Sequence, residues 1–450
     1  MQTDDQIAPA ASFPATAILP DHPAYDEHRI SFNGMLDRRP AVIVPCTSTD
    51  EVVGAVRAAR TAGLPIAVRG GGHSVAGHGV ADGALVVSLG SMRDVTVDPE
   101  RRIAHVGGGA QWNDIDAAAF AHGLAVPGGT FGDTGVGGLT LGGGIGWLMP
   151  VAGLTCDNLI EAEVVTADGS VVIAGPGGDE ELLWALRGGG GNFGVVTRFT
   201  YRLTPVGPMF GGEIRYLPEA AGEVLARVET LIARYPLATM PTLTIHRDPD
   251  LGPIVAFLLG IVDGSDPEPI LELLRRDLPV VDDDLGTRTY LDLQALAGIL
   301  PFGLRHYWKG HFVRELDTST FEALVAAVSA PDAVGKAFVL IEGITGAGRT
   351  EPAGGAAFGQ RAARWNASAL SIWESPDEDE VAIGWARRVA DLLEPLSQSG
   401  GGYINYSPAD ESAERVVAAY GAERWERLVA VKRRHDPANV FRFNHNIRPD

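Results

Sequence analysis

Residues 69–73 read RGGGH, inside the longer stretch VRGGGHSVAGHG at 68–79, and this stretch decides how the first half of the chain is interpreted. Three consecutive glycines carry a large conformational-entropy cost on folding, so a folded protein keeps them where its backbone turns sharply or closely approaches another group. Further glycine runs lie at 128–146 and 188–194. Consecutive backbone amides form concavities that bind anions, which suits a pyrophosphate. The three runs therefore predict a site for an extended dinucleotide.

Composition and charge narrow the class of protein. Of the 450 residues, 45% are hydrophobic and the mean hydropathy is +0.07, values typical of a soluble globular protein. The longest apolar run, IVAFLLGIV at 254–262, is far shorter than the ~20 residues that span a bilayer, so we expect no membrane partner. A net charge of −21 argues against nucleic acid and anionic membrane surfaces.

The start of the chain does not resemble a signal peptide. No Lys or Arg precedes Arg29, and Asp4 and Asp5 stand where a signal peptide carries positive charge. We therefore expect a cytoplasmic protein whose residues 1–25, rich in Ala and Pro, form an extended N-terminal arm.

The segment after the arm reads as a β-α-β unit. A strand at 41–44 is followed by a helix in which Ser48 and Glu51 have the spacing of a capping box. Gly63 is placed to end that helix, and a second strand follows at 65–69. Short strands, a helix from about Trp112 to His122 and a hairpin at 161–175 come next.

From about residue 213 the sequence pattern changes. Clustered glycine becomes scarce, and long apolar stretches alternate with helical patterns. We predict an α+β protein of two domains. Residues 26–212 and a C-terminal segment at 401–450 form one domain, and residues 213–400 form a second domain, an antiparallel sheet covered by helices. The tail holds a helix near 412–434 and an aromatic end that returns to the first domain.

Several familiar motifs are absent or fail their context. GGGNFG at 189–194 fits the dinucleotide fingerprint, but a helical pattern at 179–187 precedes it and a strand pattern at 195–203 follows, the reverse of the required order. No GK[ST] follows a glycine run, and the sequence has no HExxH, CxxC or GxSxG. We therefore expect no metal site, and we give a hydrolase little weight.

Six segments together carry a family resemblance. They are RGGGH at 69–73, TGVGGLTLGGGIGWL at 134–148, GLTCDNL at 153–159, LWALRGGGGNFGVVTRF at 183–199, YINY at 403–406 and NVFRFNHNI at 439–447. In this order they resemble the berberine-bridge-enzyme-like flavoproteins of the vanillyl-alcohol oxidase and p-cresol methylhydroxylase superfamily. The likeness covers about residues 38–203 and 400–448.

This resemblance implies a two-domain FAD-binding fold of the p-cresol methylhydroxylase type. It places the histidine that bonds covalently to the flavin ring at His73, and it places the cysteine of a second covalent bond at Cys156. The flanking Asp157 would not by itself promote the thiolate that such a bond requires, and nothing assigns a role to Cys46. The expected cofactor-binding residues are His73, Cys156, Arg69, Gly70, Gly71, Gly72, Ser74, Gly129, Thr130, Thr134, Gly135, Gly137, Gly138, Gly142, Gly146, Asn158, Gly194, Val195, Val196, Asn405, Asn444 and Asn446.

The YINY motif is the expected catalytic element. In the family its second tyrosine takes the proton from a substrate hydroxyl, which corresponds to Tyr406, with Tyr403 and Asn405 in support. A tyrosine with its ordinary pKa of about 10 is a poor base unless a neighbour stabilises the phenolate. Relatives often continue with an acidic residue, where this chain has Ser407 and Pro408.

Residues of the second domain offer further candidates. Lys309 and His311, and Arg361 with Trp365, could face the flavin, although a lysine whose head reaches solvent is the simpler interpretation. The position that controls oxygen access in the family corresponds to Thr130.

The sequence thus predicts an FAD-dependent oxidase that oxidises a hydroxyl-bearing substrate, an oligosaccharide or a secondary-metabolite alcohol, by hydride transfer to covalently bound FAD. Molecular oxygen is then the second substrate and hydrogen peroxide the product. Alternatives are a dehydrogenase with another electron acceptor, an amine oxidase of the hydroxynicotine type, a flavin-carrying binding protein without catalysis, and a hydrolase without flavin. The oligomeric state cannot be deduced from the sequence.

Overall fold

The structure, a computed structural model, describes residues 13–450. The first part of the predicted arm, residues 1–12, lies outside the described residues. Of the remainder, Ile18 forms an antiparallel bridge with Ile43, and the short helix α1 (Tyr25–Arg29) follows. The end of the predicted arm is thus attached to the first lobe.

A parallel three-stranded sheet opens this first lobe. Strands β1 (Val42–Pro45) and β2 (Ile66–Arg69) lie on either side of β3 (Leu85–Ser88). Helix α2 (Thr49–Ala62) joins β1 to β2. Ser48 caps the helix by accepting from the N–H of Glu51, and Gly63 ends it with a φ of 68°. The predicted β-α-β unit is confirmed, with a third strand between its two strands.

A five-stranded antiparallel sheet completes the lobe. Its order is β4 (Val95–Asp98), β5 (Ile103–Gly107), β9 (Val195–Arg202), β7 (Leu159–Val165), β8 (Val171–Ala174). The short strands β6 (Leu124–Ala125) and β10 (Thr204–Pro205) pair with each other. The helices of this region are α3 (Trp112–Phe120), α4 (Val136–Leu141), α5 (Met149–Ala152) and α6 (Glu180–Leu186). GGGNFG at 189–194 does lie after a helix, α6, and before a strand, β9.

An antiparallel sheet of eight strands forms the second lobe. Its order is β14 (Val280–Asp283), β11 (Met209–Tyr216), β13 (Gly252–Ile261), β12 (Thr242–Asp248), β17 (Lys336–Gly343), β18 (Trp365–Trp373), β16 (Arg305–Val313), with β15 (Gly286–Arg288) also paired to β11. Strand β11 runs through the predicted boundary at residue 212, so the sheet begins at Met209.

One face of this sheet is covered by helices, and the other faces the first lobe. The covering helices are α7 (Ala221–Arg234), α8 (Glu268–Arg275), α10 (Thr318–Ala327) and α11 (Asp379–Leu393), while α9 (Tyr290–Gln294) packs near α3. Because side chains alternate along a strand, Val339 and Ile341 pack under the helices while Leu340 and Glu342 project from the opposite face. The α+β class and the covered antiparallel sheet are confirmed.

The C-terminal segment returns to the first lobe. The single helix predicted near 412–434 is two helices, α12 (Ala413–Tyr420) and α13 (Ala422–His435), because Gly421 breaks the helix with a φ of 79°. Leu428 and Ile447 join the core of the five-stranded sheet, and Phe441 joins that of the three-stranded sheet. Across residues 13–450, no helix combines the length and apolar character needed to cross a bilayer.

Candidate active site

A cavity of about 1690 Å³, including its open mouth, lies where the two lobes and the C-terminal segment meet. All three glycine runs contribute to its wall, as their shared composition suggested. The expected site residues that line it are Arg69, Gly70, Gly71, Gly72, His73, Ser74, Gly129, Thr130, Thr134, Gly135, Gly137, Gly138, Gly142, Gly194, Val196, Tyr403, Asn405, Tyr406 and Asn444.

The glycines bring bare backbone to this wall for two different reasons. A Cβ on Gly71 would lie 2.5 Å from the Cα of Gly135, so the first two glycine runs touch only because neither has a side chain. A Cβ on Gly138 or Gly191 would meet no atom within 4 Å, although both residues line the cavity. At those two positions any side chain would enter the space that a ligand requires.

The cavity wall fits FAD in its chemistry. Ile66, Val68 and Phe443 supply an apolar surface for an aromatic ring, and the backbone of residues 70–73 presents successive amides suited to a pyrophosphate. The Oδ1 atom of Asn444 is buried without a hydrogen-bond partner among the described residues, while its Nδ2 donates to the carbonyl of Gly191. An unpaired buried acceptor at a cavity wall is suited to a donor on a ligand.

His73 lies in an aromatic stack at the cavity. Its ring packs against Phe32 at a centroid distance of 4.0 Å, and Phe32 packs on its other side against His306 at 4.3 Å. Nε2 of His73 lies 3.8 Å from Oδ1 of Asp133. Burial lowers the pKa of His73, and the charge of Asp133 opposes that change. The ring is therefore neutral near pH 7, the form in which a ring nitrogen keeps a lone pair.

The two tyrosines of YINY have different surroundings. The hydroxyl oxygen of Tyr403 accepts from the N–H of Gly144 and from Nδ2 of Asn405, each at 2.9 Å, so it is already occupied. The Tyr403 and Tyr406 rings meet edge to face at 4.9 Å, and Trp308 packs on Tyr406 at 5.5 Å. Tyr403 therefore positions the ring of Tyr406, whose own hydroxyl has a different partner.

That partner is Glu342, a residue that was not predicted from the sequence. The Tyr406 hydroxyl donates to Oε1 of Glu342 at 3.3 Å, and Nδ2 of Asn366 donates to Oε2 at 2.8 Å. Glu342 on β17 and Asn366 on β18 face each other in the sheet register. Burial raises the pKa of Glu342 to about 7, and it raises the pKa of Tyr406 well above its usual value, with the Glu342 charge adding to that rise.

Glu342 left only a weak signal in the sequence. It is a lone acidic residue in the apolar strand KAFVLIEG at 336–343, a pattern that can mark a buried functional carboxyl. Its connection to the YINY motif, 64 residues away, exists only in the folded sheet.

Cys156 is not among the residues that line the cavity, and its role as a flavin ligand stays a prediction. A 3₁₀ turn at Thr155–Asn158 holds it in the core beside Trp147 and Met149, with no exposed surface. Burial raises the pKa of its thiol well above the usual range, and Asp157 raises it further. Arg361 and Arg187 lower the pKa of this thiol, but by less than burial and Asp157 raise it. Cys156 is therefore a buried neutral thiol.

Four other expected cofactor residues also lie away from the cavity wall. Gly146 packs against the backbone of Gly128, and the Asn158 amide donates to the carbonyls of Ala152 and Leu154. Val195 is part of the core beneath the three-stranded sheet. Asn446 does not line the cavity, although its Oδ1 is buried without a partner in the described part of the chain.

The second-domain candidates turn away from the cavity. Along β16, Trp308 lines the cavity, whereas Lys309 pairs with Glu411 at 3.2 Å on the opposite face. His311 shares that opposite face, and burial lowers its pKa to about 4. Trp365 lies in the helix-covered core and donates to Glu229. The Arg361 guanidinium is buried against Asp157 rather than exposed to a ligand.

The cavity includes residues that were not assigned to it from the sequence. Ile66, His78, Asn192 and His445 line it. Cys46 does not line it, and burial raises the pKa of that thiol to about 12. Within residues 13–450, no three His, Cys, Asp or Glu side chains group in a way that could hold a metal ion.

Comparison with known families agrees with this architecture. Residues 40–175 match the family described as FAD binding domain, and residues 402–448 match the family described as berberine and berberine like. The two matched segments are those that enclose the cavity from the first lobe and from the C-terminal segment.

Individual relatives extend the match to the whole chain. (R)-6-hydroxynicotine oxidase from Paenarthrobacter nicotinovorans is 32% identical over 99% of both chains. A crystal structure of 6-hydroxy-D-nicotine oxidase from Arthrobacter nicotinovorans superposes with a TM-score of 0.90 at 30% identity, covering 99% of this chain and 100% of that one. A glucooligosaccharide oxidase from Acremonium strictum has the same fold, with a TM-score of 0.85 at 23% identity over 96% and 97% of the two chains. The chain therefore belongs to the berberine-bridge-enzyme-like FAD-linked oxidases and has their two-domain, p-cresol-methylhydroxylase-type fold.

Proposed function

We propose that this FAD-linked oxidase oxidises a carbon that bears a hydroxyl group, and that Tyr406 and Glu342 together accept the hydroxyl proton. The observation that carries the proposal is the hydrogen bond from Tyr406 to a buried carboxyl whose pKa is raised to about 7. A carboxyl with that pKa changes its protonation state near neutral pH, as a general base requires.

Tyr406 acts as the relay in this pair. Its raised pKa excludes a free phenolate near pH 7, so its oxygen can accept a substrate proton only while its own proton leaves. The Glu342 carboxylate is the acceptor at 3.3 Å, and Asn366 stabilises the ionised form by donating to its second oxygen. When bound, FAD supplies the hydride acceptor and, through molecular oxygen, the route to hydrogen peroxide.

We also propose that His73 holds the cofactor through one covalent bond between its imidazole and the ring methyl group of the flavin. The neutral ring and the nearby Asp133 carboxylate, which can take the imidazole proton, support this. Bond formation removes one hydrogen from the methyl group and one from the imidazole, and molecular oxygen takes both as hydrogen peroxide. Cys156 is left out because it is a buried thiol away from the cavity.

Amine oxidation is the second candidate function. It is favoured by the 32% identity over 99% of the chain to an enzyme named for the oxidation of 6-hydroxynicotine. The same Tyr406 and Glu342 pair could accept a proton from a substrate ammonium group. Alcohols and amines should therefore both be tested as substrates in the same assay.

The decisive experiment is a mass measurement under denaturing conditions with a flavin absorbance trace, followed by a peroxide assay in air. A mass raised by one FAD, with peroxide released from alcohols, supports both parts of the proposal. If the flavin separates from the protein on denaturation, the proposed His73 bond is contradicted, but the proposed oxidase function is not. Protein without flavin, or reduced flavin that yields no peroxide in air, contradicts the oxidase itself.

A further inference from the structure

An apolar surface adjoins Tyr406, formed mainly by the second lobe and joined by Phe32 of the first lobe. We call this surface the apolar wall and define it as Phe32, Leu300, Trp308, Phe338, Leu340 and Leu370, which pack into one cluster with Tyr406. Trp308 and Tyr406 also line the cavity, so the cluster continues the cavity wall. Phe338 and Leu340 are only partly buried, which leaves part of each side chain open on this face.

The sheet register places the polar pair at one end of this wall. Glu342 pairs with Asn366, two residues further along Leu340 pairs with Ser368, and next Phe338 pairs with Leu370. Strand β16 adds Trp308 opposite Leu370. A molecule lying along these strands would thus meet one carboxyl at the Tyr406 end and hydrocarbon or aromatic side chains beyond it.

Other polar groups on this face are partnered or have little exposed surface, and Nε1 of Trp308, both ring nitrogens of His306 and Oδ1 of Asn366 are buried without a partner among residues 13–450. Thr244, the neighbour of Leu340 on β12, has its hydroxyl 3.4 Å from Nδ1 of His246. Ser368 is 1% exposed. The face therefore offers few free donors or acceptors to a bound molecule.

The loop between α9 and β16 extends the apolar surface outward. It reads LAGILPFG at 296–303, and within it Ile299 is 72% exposed and Phe302 is 40% exposed. Phe302 packs edge-on against Phe32 at 5.3 Å and against His73 at 6.0 Å. Large apolar side chains exposed beside a cavity mouth are typical of a surface that a ligand covers.

We infer that the substrate is an apolar, fused aromatic molecule with a single reacting hydroxyl group, and not an oligosaccharide. This inference rests on the proposed oxidation of a hydroxyl-bearing carbon. Hydroxyls that lose water without gaining a hydrogen bond are costly, and a sugar chain would place several against Phe338, Leu340 and Trp308. An aromatic ring system gains from the same surface, and its one hydroxyl meets Tyr406 and Glu342.

The test is an anaerobic titration of the flavin absorbance with 2-naphthalenemethanol and with maltotriose, in which a shift of the oxidised flavin bands reports binding and their bleaching reports reduction. We expect the naphthalene probe to bind and maltotriose to leave the spectrum unchanged. Leu340→Gln should weaken naphthalenemethanol binding by about tenfold, because it puts an unpaired amide into the wall. Leu251→Gln is the matched control, since Leu251 is 51% exposed on a turn outside the apolar wall.

Each outcome separates this inference from the proposed function. Tighter binding of maltotriose than of the naphthalene probe, binding of neither probe, or no effect of Leu340→Gln overturns the substrate class. If Leu340→Gln fails to fold, Ile299→Ser and Phe302→Ser at the exposed loop provide the same comparison. Binding of the naphthalene probe without any reduction of the flavin by an alcohol supports the apolar wall and contradicts the oxidation of a hydroxyl-bearing carbon.

Discussion

The Tyr406 hydroxyl lies 3.3 Å from Oε1 of Glu342, a residue buried on a strand of the second lobe. Tyr406 belongs to the C-terminal segment, so the contact joins two parts of the chain that fold onto different sheets. Because burial raises the pKa of both groups, neither ionises at its ordinary pH. The protonation of this pair is therefore set by tertiary structure.

We expect the rate of anaerobic flavin reduction to rise with pH through about 7, because only the ionised Glu342 can accept a proton. Glu342→Gln should lower this rate about 100-fold or more and remove the rise, since an amide cannot act as the base. Stopped-flow measurement from pH 5.5 to 8.5 checks both. A variant that keeps the wild-type pH profile would show that another group accepts the proton.

Tyr406→Phe should lower the same rate by a similar factor while flavin content stays unchanged, because the relay hydroxyl is lost but the ring still packs on Tyr403 and Trp308. Tyr420→Phe is the matched control. Its hydroxyl is also buried and has no partner among residues 13–450, yet it lies outside the cavity. Equal effects of the two substitutions would indicate a general structural disturbance.

His73→Ala should abolish the flavin fluorescence that stays with the protein on a denaturing gel, because no nitrogen remains to form the bond. Cys156→Ala should keep that fluorescence, since the thiol is buried away from the cavity. Fluorescence that stays with the protein in His73→Ala and is lost in the double variant His73→Ala/Cys156→Ala would instead show a bond to Cys156.

Gly138→Val should prevent FAD retention, because its side chain would project into the cavity, where a Cβ meets no protein atom within 4 Å. Gly54→Val is the control, since Gly54 is also exposed, lies in helix α2, and a Cβ there would likewise meet no atom within 4 Å. Both substitutions make the same change in helix propensity, because both glycines lie within helices. The flavin-to-protein absorbance ratio after purification distinguishes them, and equal ratios would place the cofactor elsewhere.

Asp116 provides a pH test of stability. It is 3% exposed, Gln294 donates to it at 2.9 Å, and burial raises its pKa to about 7. Between pH 4 and 7 the folded state keeps a proton that the unfolded state has lost, so raising the pH destabilises the fold. Asp116→Asn removes the titrating carboxyl, so the variant does not lose this stability as the pH rises. The free energy of unfolding of the variant relative to wild type should therefore rise by about 4 kcal/mol from pH 4 to pH 8. A difference that stays constant in urea unfolding at both pH values would contradict the raised pKa.

Local sequence patterns were sufficient to predict those structural elements whose ends are set by residues close by in the chain. Ser48 and Gly63 bound helix α2 because capping groups act within one turn. The glycine runs predicted the cavity wall because runs of residues without side chains are kept mainly where another group closely approaches the backbone. The helix near 412–434 was mispredicted as continuous because Gly421 lies within a strongly helical pattern, where a single glycine is often tolerated.

Three features of the site depended on tertiary structure. A motif predicts Cys156 beside the cofactor, whereas the structure buries its side chain next to a 3₁₀ turn and outside the cavity lining, a placement that no local pattern indicates. Lys309 and Trp308 are adjacent in sequence, and only strand alternation decides which of them reaches the cavity. Glu342 acquires its partner and its raised pKa from burial between lobes.

The sequence by itself determined the fold class and the glycine-lined cavity, because these follow from local backbone preference. Tertiary structure decided which side chains meet there, because burial and side-chain pairing arise only when distant segments pack together.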